Sequence, residues 1–185
     1  MHLIFGDKLV DDDAWEAIHR SPCTTDPNRF KIIATVGRSL RDVLPIIYLS
    51  QLNSEYMKSP DIVSYDFQRH NILIGHDGSV AITFIKDDDE MNILRSKVIQ
   101  TINNAIIYNL THHTSLDDLI EKKRVLSPMM LYKSFKALPE ADCGECGEKS
   151  CFGFTTKLYI GERNVGGCPY VNTTKIQSEL IPLDL

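Results

Sequence analysis

The sequence has no apolar run long enough to cross a membrane. Its longest apolar stretches, such as Val43 to Leu49 with Pro45 inside, fall far short of the roughly 18 to 20 residues a span requires. Positive charge is also scarce: 20 Lys plus Arg stand against 25 Asp plus Glu, a net charge of −5. Those basic residues are scattered, and affinity for a phosphate backbone comes from clustered cations, so nucleic acid is not the expected partner. Met1 to Val10 carries only Lys8 as a basic residue and runs into three aspartates, which is not the pattern of a signal peptide, so a cytoplasmic location is expected. There is no Gly-x-x-x-x-Gly-Lys-Ser/Thr, no Gly-x-Gly-x-x-Gly after a strand and no Gly-x-Ser-x-Gly. Nucleotide hydrolysis, dinucleotide binding and serine hydrolysis therefore have no local support. Internal repeats and low-complexity tracts are missing too.

What remains is an ordinary globular composition: 185 residues, 43% hydrophobic and 24% charged. A chain of that length buries roughly 70% of the surface its unfolded form exposes, enough for one or two small domains. Asp-rich Asp12 to Arg20 reads as a short helix with negative charge at its N-terminal end. Thr24 to Asn28 reads as a turn, and the β-branched run Phe30 to Val36 as a strand. Ser39 is placed to cap a helix over Leu40 to Leu52, with Pro45 kinking it or delaying its start. Asp61 to Phe67 and Asn71 to Gly75 read as strands, and His76-Asp77-Gly78-Ser79 carries the Asp-Gly signal of a tight hairpin into Val80 to Ile85. Asp87 to Glu90 then opens a long helix whose apolar positions Leu94, Val98, Ile102, Ala105 and Ile106 recur at helical spacing. The expected class is α+β, an antiparallel sheet with helices on one face, followed by a small C-terminal domain. Shorter helices are expected at Ser115 to Lys123 and Met129 to Leu138, with Pro139 ending the second. The boundary is set near residue 125, giving an α+β domain of unknown role at 1–125 and a cysteine-bearing domain at 126–185.

Of five cysteines, four lie in the last 43 residues, spaced Cys143-x2-Cys146-x4-Cys151-x16-Cys168 with Pro169 following. An odd count without an export signal is poor support for a disulfide framework, whereas four clustered thiols suit a metal. Four soft thiolates serve an iron-sulfur cluster or tetrahedral zinc. A zinc ribbon presents two separate Cys-x2-Cys knuckles, but here three cysteines fall within nine residues and the fourth is remote. Gly144 and Gly147 allow backbone conformations that turn amide groups toward sulfur. Carboxylates of Asp142, Glu145, Glu148 and Glu162 outnumber Lys149, Lys157 and Arg163 around the loop, which disfavours adding an electron there.

The segment Leu138 to Tyr170, LPEADCGECGEKSCFGFTTKLYIGERNVGGCPY, resembles the small four-iron, four-sulfur domain of the corrinoid iron-sulfur protein large subunit, the gamma subunit of acetyl-CoA decarbonylase/synthase. A similar segment occurs in the B subunit of Rnf electron-transport complexes. The likeness covers the Leu-Pro lead-in, all four cysteines, the Lys-Leu and Gly-Glu pairs and the final Cys-Pro. It implies one [4Fe-4S] cluster with Cys143, Cys146, Cys151 and Cys168 as ligands. Phe152 to Thr156 replaces the small or apolar residues usual after the third cysteine, which points to a less regular helix there. No Asp-x-His-x-x-Gly motif is present, so no corrinoid is expected on this chain.

The remaining candidates have plainer explanations. Cys23 is given no role, since a lone cysteine is usually a small buried hydrophobe. Adjacent His112 and His113 point in different directions and suit solvent exposure. His70 and His76 fit turn composition around a hairpin strand, and Asp87 to Glu90 fits a helix start. The resulting expectation is an electron carrier or accessory protein in preference to a stand-alone enzyme, without catalytic residues. It would carry one [4Fe-4S] cluster and exchange single electrons with a protein redox partner, in an anaerobic redox or one-carbon setting that the resemblance alone supplies. The alternatives are a non-redox interaction protein with a structural cluster or zinc, and a cluster-based sensor of oxygen or iron.

Overall fold

A computed structural model of the chain describes residues 9–112, 115–123, 129, 132–133, 135, 142–160, 162–163 and 165–170. Six strands, β1 (Glu16–Pro22), β2 (Phe30–Thr35), β3 (Ser54–Met57), β4 (Ile62–Phe67), β5 (His70–Gly75) and β6 (Ser79–Ile85), form one sheet in the order β1-β2-β6-β5-β4-β3. Every pairing is antiparallel. Strand alternation sends every second side chain to one face. Ile32, Ile82, Ile72 and Tyr65 line up across four strands as one buried row, and Ala34, Val80, Ile74 and Val63 form the next.

Two helices cover that face. In α1 (Leu44–Ser50) the side chains of Leu44, Ile46, Ile47 and Leu49 are buried. In α2 (Asp88–Thr111) Leu94, Val98, Ile102, Ala105 and Ile106 supply a stripe at helical spacing, and all of them join the sheet residues in one core. Each fully buried Ile or Leu there contributes about 1.5–3 kcal/mol. A short third helix, α3 (Asp117–Lys122), lays Leu119 and Ile120 against the edge of this core. The architecture is thus an antiparallel sheet with helices on one face, as expected for the α+β class.

Local chemistry explains the element ends. The Asp87 carboxylate accepts the Glu90 N–H at 2.9 Å, and Glu90 reaches back to the Lys86 N–H, a reciprocal cap that starts α2. Pro45, in the first turn of α1, fits there because that turn has no use for its missing N–H, so the helix begins at Leu44 and not at Leu40. Ser39 does not cap it; its hydroxyl donates to the His76 carbonyl at 3.1 Å, tying the loop before α1 to the β5–β6 hairpin. Gly78 has φ +87°, and a Cβ there would lie 2.2 Å from the Arg38 carbonyl oxygen, so only glycine fits.

The helix expected over Asp12 to Arg20 is instead a 3-10 turn at Asp12–Ala14 running into β1. Asp11 accepts the Ala14 N–H at 2.9 Å, so the acidic cluster caps one turn and no more. The following edge strand leaves nearly every residue exposed, and so shows no alternation to reveal it. Strand β3, paired with β4, has no counterpart among the elements expected from the sequence. Ser115 does not cap α3, whose flanking residue Leu116 makes no side-chain cap bond. The helix expected at Met129 to Leu138, the boundary near residue 125 and His113 fall largely or wholly outside the described residues.

Candidate functional site

The cysteine segment is built on a tight loop and a helix. Gly144 and Gly147 both adopt φ +81°, and the Gly147 N–H donates to the Gly144 carbonyl at 2.9 Å, closing a turn around Cys146. Asp142, itself at φ +59°, clamps the loop to the next element: its N–H donates to Cys151 Sγ at 3.2 Å and its carboxylate accepts the Cys151 N–H at 2.6 Å. Ser150 then caps α4 (Cys151–Tyr159) by accepting the Gly153 N–H. This helix runs unbroken through Phe152 to Thr156, so the expected irregularity is not there. The aromatic residues explain why: Phe154 is buried and meets Phe135 at 5.4 Å between ring centroids, while Phe152 meets Tyr132 edge-on at 5.4 Å.

Cys143, Cys146, Cys151 and Cys168 line one cavity, together with Phe135, Phe154 and Tyr170. Their surroundings differ. Cys143 is exposed at the rim, with the Glu145 N–H donating to its sulfur at 3.5 Å. Cys168 is buried, packed into the same apolar cluster as Phe135, Phe154 and Leu158. Burial pushes the Cys151 thiol up, with the nearby Asp142 carboxylate acting in the same direction. All five cysteines are free.

Salt bridges hold the rim. Glu148, whose side chain is 11% exposed, accepts from Lys157 Nζ at 2.8 Å and Arg163 Nη2 at 3.1 Å. These two cations, Lys157 first, hold its carboxyl below the usual carboxylate range. Tyr170 donates its hydroxyl to Glu145 at 2.6 Å. All four carboxylates counted around the loop are therefore engaged: Glu148 and Glu145 by partners 9, 15 and 25 residues away, Asp142 by the Cys151 N–H and Glu162 by Arg69. No local spacing signals those pairs.

The cysteine segment is fixed to the sheet at one hairpin. Gln68 and Arg69, the two turn residues between β4 and β5, have φ +48° and +72°, the left-handed values a two-residue hairpin requires. The Gln68 N–H donates to the Ile160 carbonyl just past α4 at 2.8 Å, Arg69 pairs with Glu162 at 3.3 Å, and Leu52 packs against the Phe135–Phe154 cluster.

Among the described residues, no group of three or more His, Cys, Asp or Glu side chains is placed to hold a metal ion. This corrects the expectation of a [4Fe-4S] cluster on Cys143, Cys146, Cys151 and Cys168. The iron-sulfur, metal-binding and single-electron-transfer reading falls with it, as do its zinc and sensor alternatives. The four thiols share a cavity but do not converge as a donor set: Cys168 is packed among aromatic rings, Cys143 sits at the rim and accepts the Glu145 N–H, Cys151 accepts the Asp142 N–H, and Cys146 is half-buried against the aromatic cluster.

Elsewhere, His112 is exposed and stacked on Tyr108 at 4.1 Å. His70 is no surface turn residue; it is 4% exposed, with Nδ1 at 3.1 Å from the Thr83 carbonyl and Nε2 at 3.5 Å from Glu90. Cys23 lies 3.3 Å from the Thr25 hydroxyl, whose hydrogen bond lowers the thiol's pKa. No helix among the described residues is long and apolar enough to cross a membrane.

Residues 138–170 match the family model described as "Putative Fe-S cluster". The chain is 38% identical over 45 residues to the corrinoid/iron-sulfur protein large subunit of Moorella thermoacetica, covering 24% of this chain and 10% of that protein. It is 42% identical over 43 residues to the acetyl-CoA decarbonylase/synthase complex subunit gamma of Methanocaldococcus jannaschii, covering 23% and 9%. With subunit gamma 1 of Methanosarcina thermophila the identity is 36% over 62 residues, 33% of this chain and 13% of that protein. No solved structure matches the chain. The chain thus spans about a tenth of the length of the curated relatives it matches. Its homology to them is confined to a small C-terminal stretch fused to a larger domain. Those relatives are named as subunits.

Proposed function

We propose that this chain is an accessory subunit in which an α+β domain, residues 1–125, carries a C-terminal thiol module, residues 126–185, to a protein partner in the cytoplasm. Cys143, Cys146, Cys151 and Cys168 are the module's functional residues. The observation that carries this reading is the single cavity lined by all four thiols, open at Cys143 and closed at Cys168. The anchorage of that module on the Gln68–Arg69 hairpin supports a scaffold role for the sheet, because it presents the rim in one fixed orientation. The names of the relatives, subunits of larger assemblies, support partnership with another chain.

The test is purification of the tagged full chain from its native cells, with and without serine at all four cysteines. The wild-type chain is expected to elute in size exclusion with a stoichiometric partner, and the four-serine variant alone with its far-UV spectrum intact. A wild-type chain that runs alone, or a four-serine variant that keeps its partner, overturns the reading.

A further inference from the structure

Helix α3 has six residues, and its apolar side chains Leu119 and Ile120 are only partly buried. A helix that short has no stability of its own. At its end, Lys123 sends its side chain back into the domain. Its Nζ donates to the Tyr48 carbonyl, to the Gln51 carbonyl at 2.6 Å and to Ser54 Oγ at 2.6 Å, and lies 4.1 Å from the Tyr48 ring centroid. Tyr48 and Gln51 stand at the C-terminal end of α1, where helix carbonyls lack internal partners and the helix dipole is negative. Ser54, at the start of β3, is 5% exposed and donates its own hydroxyl to the Tyr48 carbonyl at 2.8 Å. One amine therefore satisfies groups at the end of α1 and the start of β3, and through its own side chain ties both to the end of α3.

We propose that Lys123 is a latch: seated between α1 and β3, it holds α3 docked and so fixes where the chain departs toward the cysteine segment. Withdrawing it frees α3 while the sheet stays folded. The sheet does not depend on it, because the core rows are made by Ile32, Ile72, Ile74 and Ile82.

Hydrogen exchange by mass spectrometry on the full chain tests this with Lys123→Gln. Losing hydrogen bonds from this amine is expected to speed exchange in residues 117–123 roughly ten- to hundredfold, with β5 and β6 unchanged. Unchanged exchange in α3 overturns the latch, and so does a parallel rise across the sheet, which would make Lys123 a general core residue. A second measurement needs no variant: with N-hydroxysuccinimide acetate on the wild-type chain across a pH series, the limiting rate of the neutral Lys123 amine should be at least about tenfold below those of exposed Lys58 and Lys97. Equal rates would remove the seated amine on which the latch depends. Both measurements read this chain alone, so their outcome is separate from that of the partner experiment.

Discussion

Phe154 is the side chain on which the cysteine segment depends most. It is 1% exposed, and its ring lies 5.4 Å from that of Phe135 at an interplanar angle of 48°. Truncation to alanine removes a buried ring at about 3–5 kcal/mol, with roughly 0.5–1.5 kcal/mol of ring pairing inside that figure. The described cluster around it comprises only Phe135, Leu158 and Cys168 as further buried members. A loss of that size is comparable to the whole stability of a small unit, about 5 kcal/mol at the low end for domains. Phe154→Ala should therefore open the thiol cavity while the isoleucine core of the sheet persists. Thiol titration under native conditions reads this directly. In the wild-type chain Cys143 should react fast and Cys168 slowly, and in the variant Cys168 should react at the rate of Cys143. The main thermal transition of the sheet should move little. If Cys168 stays slow, the cluster does not hold the cavity closed. If the whole chain melts in one lowered transition, the two parts share a cooperative core and the domain division is wrong.

Gly78→Ala should lower stability by about 1–3 kcal/mol, read as a reduced urea midpoint with unchanged slope, because the new Cβ meets the Arg38 carbonyl at a positive φ. A neutral result would mean the loop before α1 moves freely. Glu148, with its carboxyl held below the usual range by Lys157 and Arg163, contributes stability above its unfolded pKa that is lost as pH falls through the folded one. Acidification from pH 5 toward pH 3 should speed thiol reaction at Cys168 in the wild-type chain and change it less in Glu148→Gln. For Lys123, burial pulls the amine down to about 7, so the unfolded chain binds more protons between pH 7 and about 10. Stability should then rise with pH across that window, by at most about 1.4 kcal/mol per unit, and the slope should vanish in Lys123→Met. A flat profile in the wild-type chain would show that the three acceptors and the end of α1 offset the desolvation.

The core strands and the long helix were legible because each carries a periodic signal. Val80 and Ile82 alternate with outward residues along β6, and Leu94, Val98, Ile102 and Ala105 recur at helical spacing. The Asp-Gly pair before β6 gave the hairpin for the same reason: φ at Gly78 admits little else. What escaped the sequence has no such period. Strand β1 lies at the sheet edge with almost every residue exposed, and its side-chain contacts include an Arg20 guanidinium 3.6 Å above the Phe30 ring and a 2.6 Å ion pair from Arg20 to Asp88. Both partners are distant in sequence. Strand β3 has four residues, too few for alternation to be read against chance, and it is defined by its register with β4.

The cysteine segment shows a different limit. Its spacing is fully visible in the sequence, and spacing decides which thiols a loop can bring near one another; it does not decide how the sulfurs are aimed. Cys143, Cys146 and Cys151 fall on one loop and the first turn of α4, and all reach the same cavity as Cys168. Their aim is set by contacts that spacing does not encode: the Asp142 N–H on Cys151, the Glu145 N–H on Cys143, and the packing of Cys168 against Phe135 and Phe154. A thiol serves as a soft ligand once it is deprotonated and directed inward. In this arrangement burial pushes the Cys151 thiol up, and the Asp142 carboxylate beside it acts in the same direction. Shared occupancy of a cavity is thus a weaker condition than shared coordination, and the two are separated here by a handful of backbone hydrogen bonds and one pair of aromatic rings.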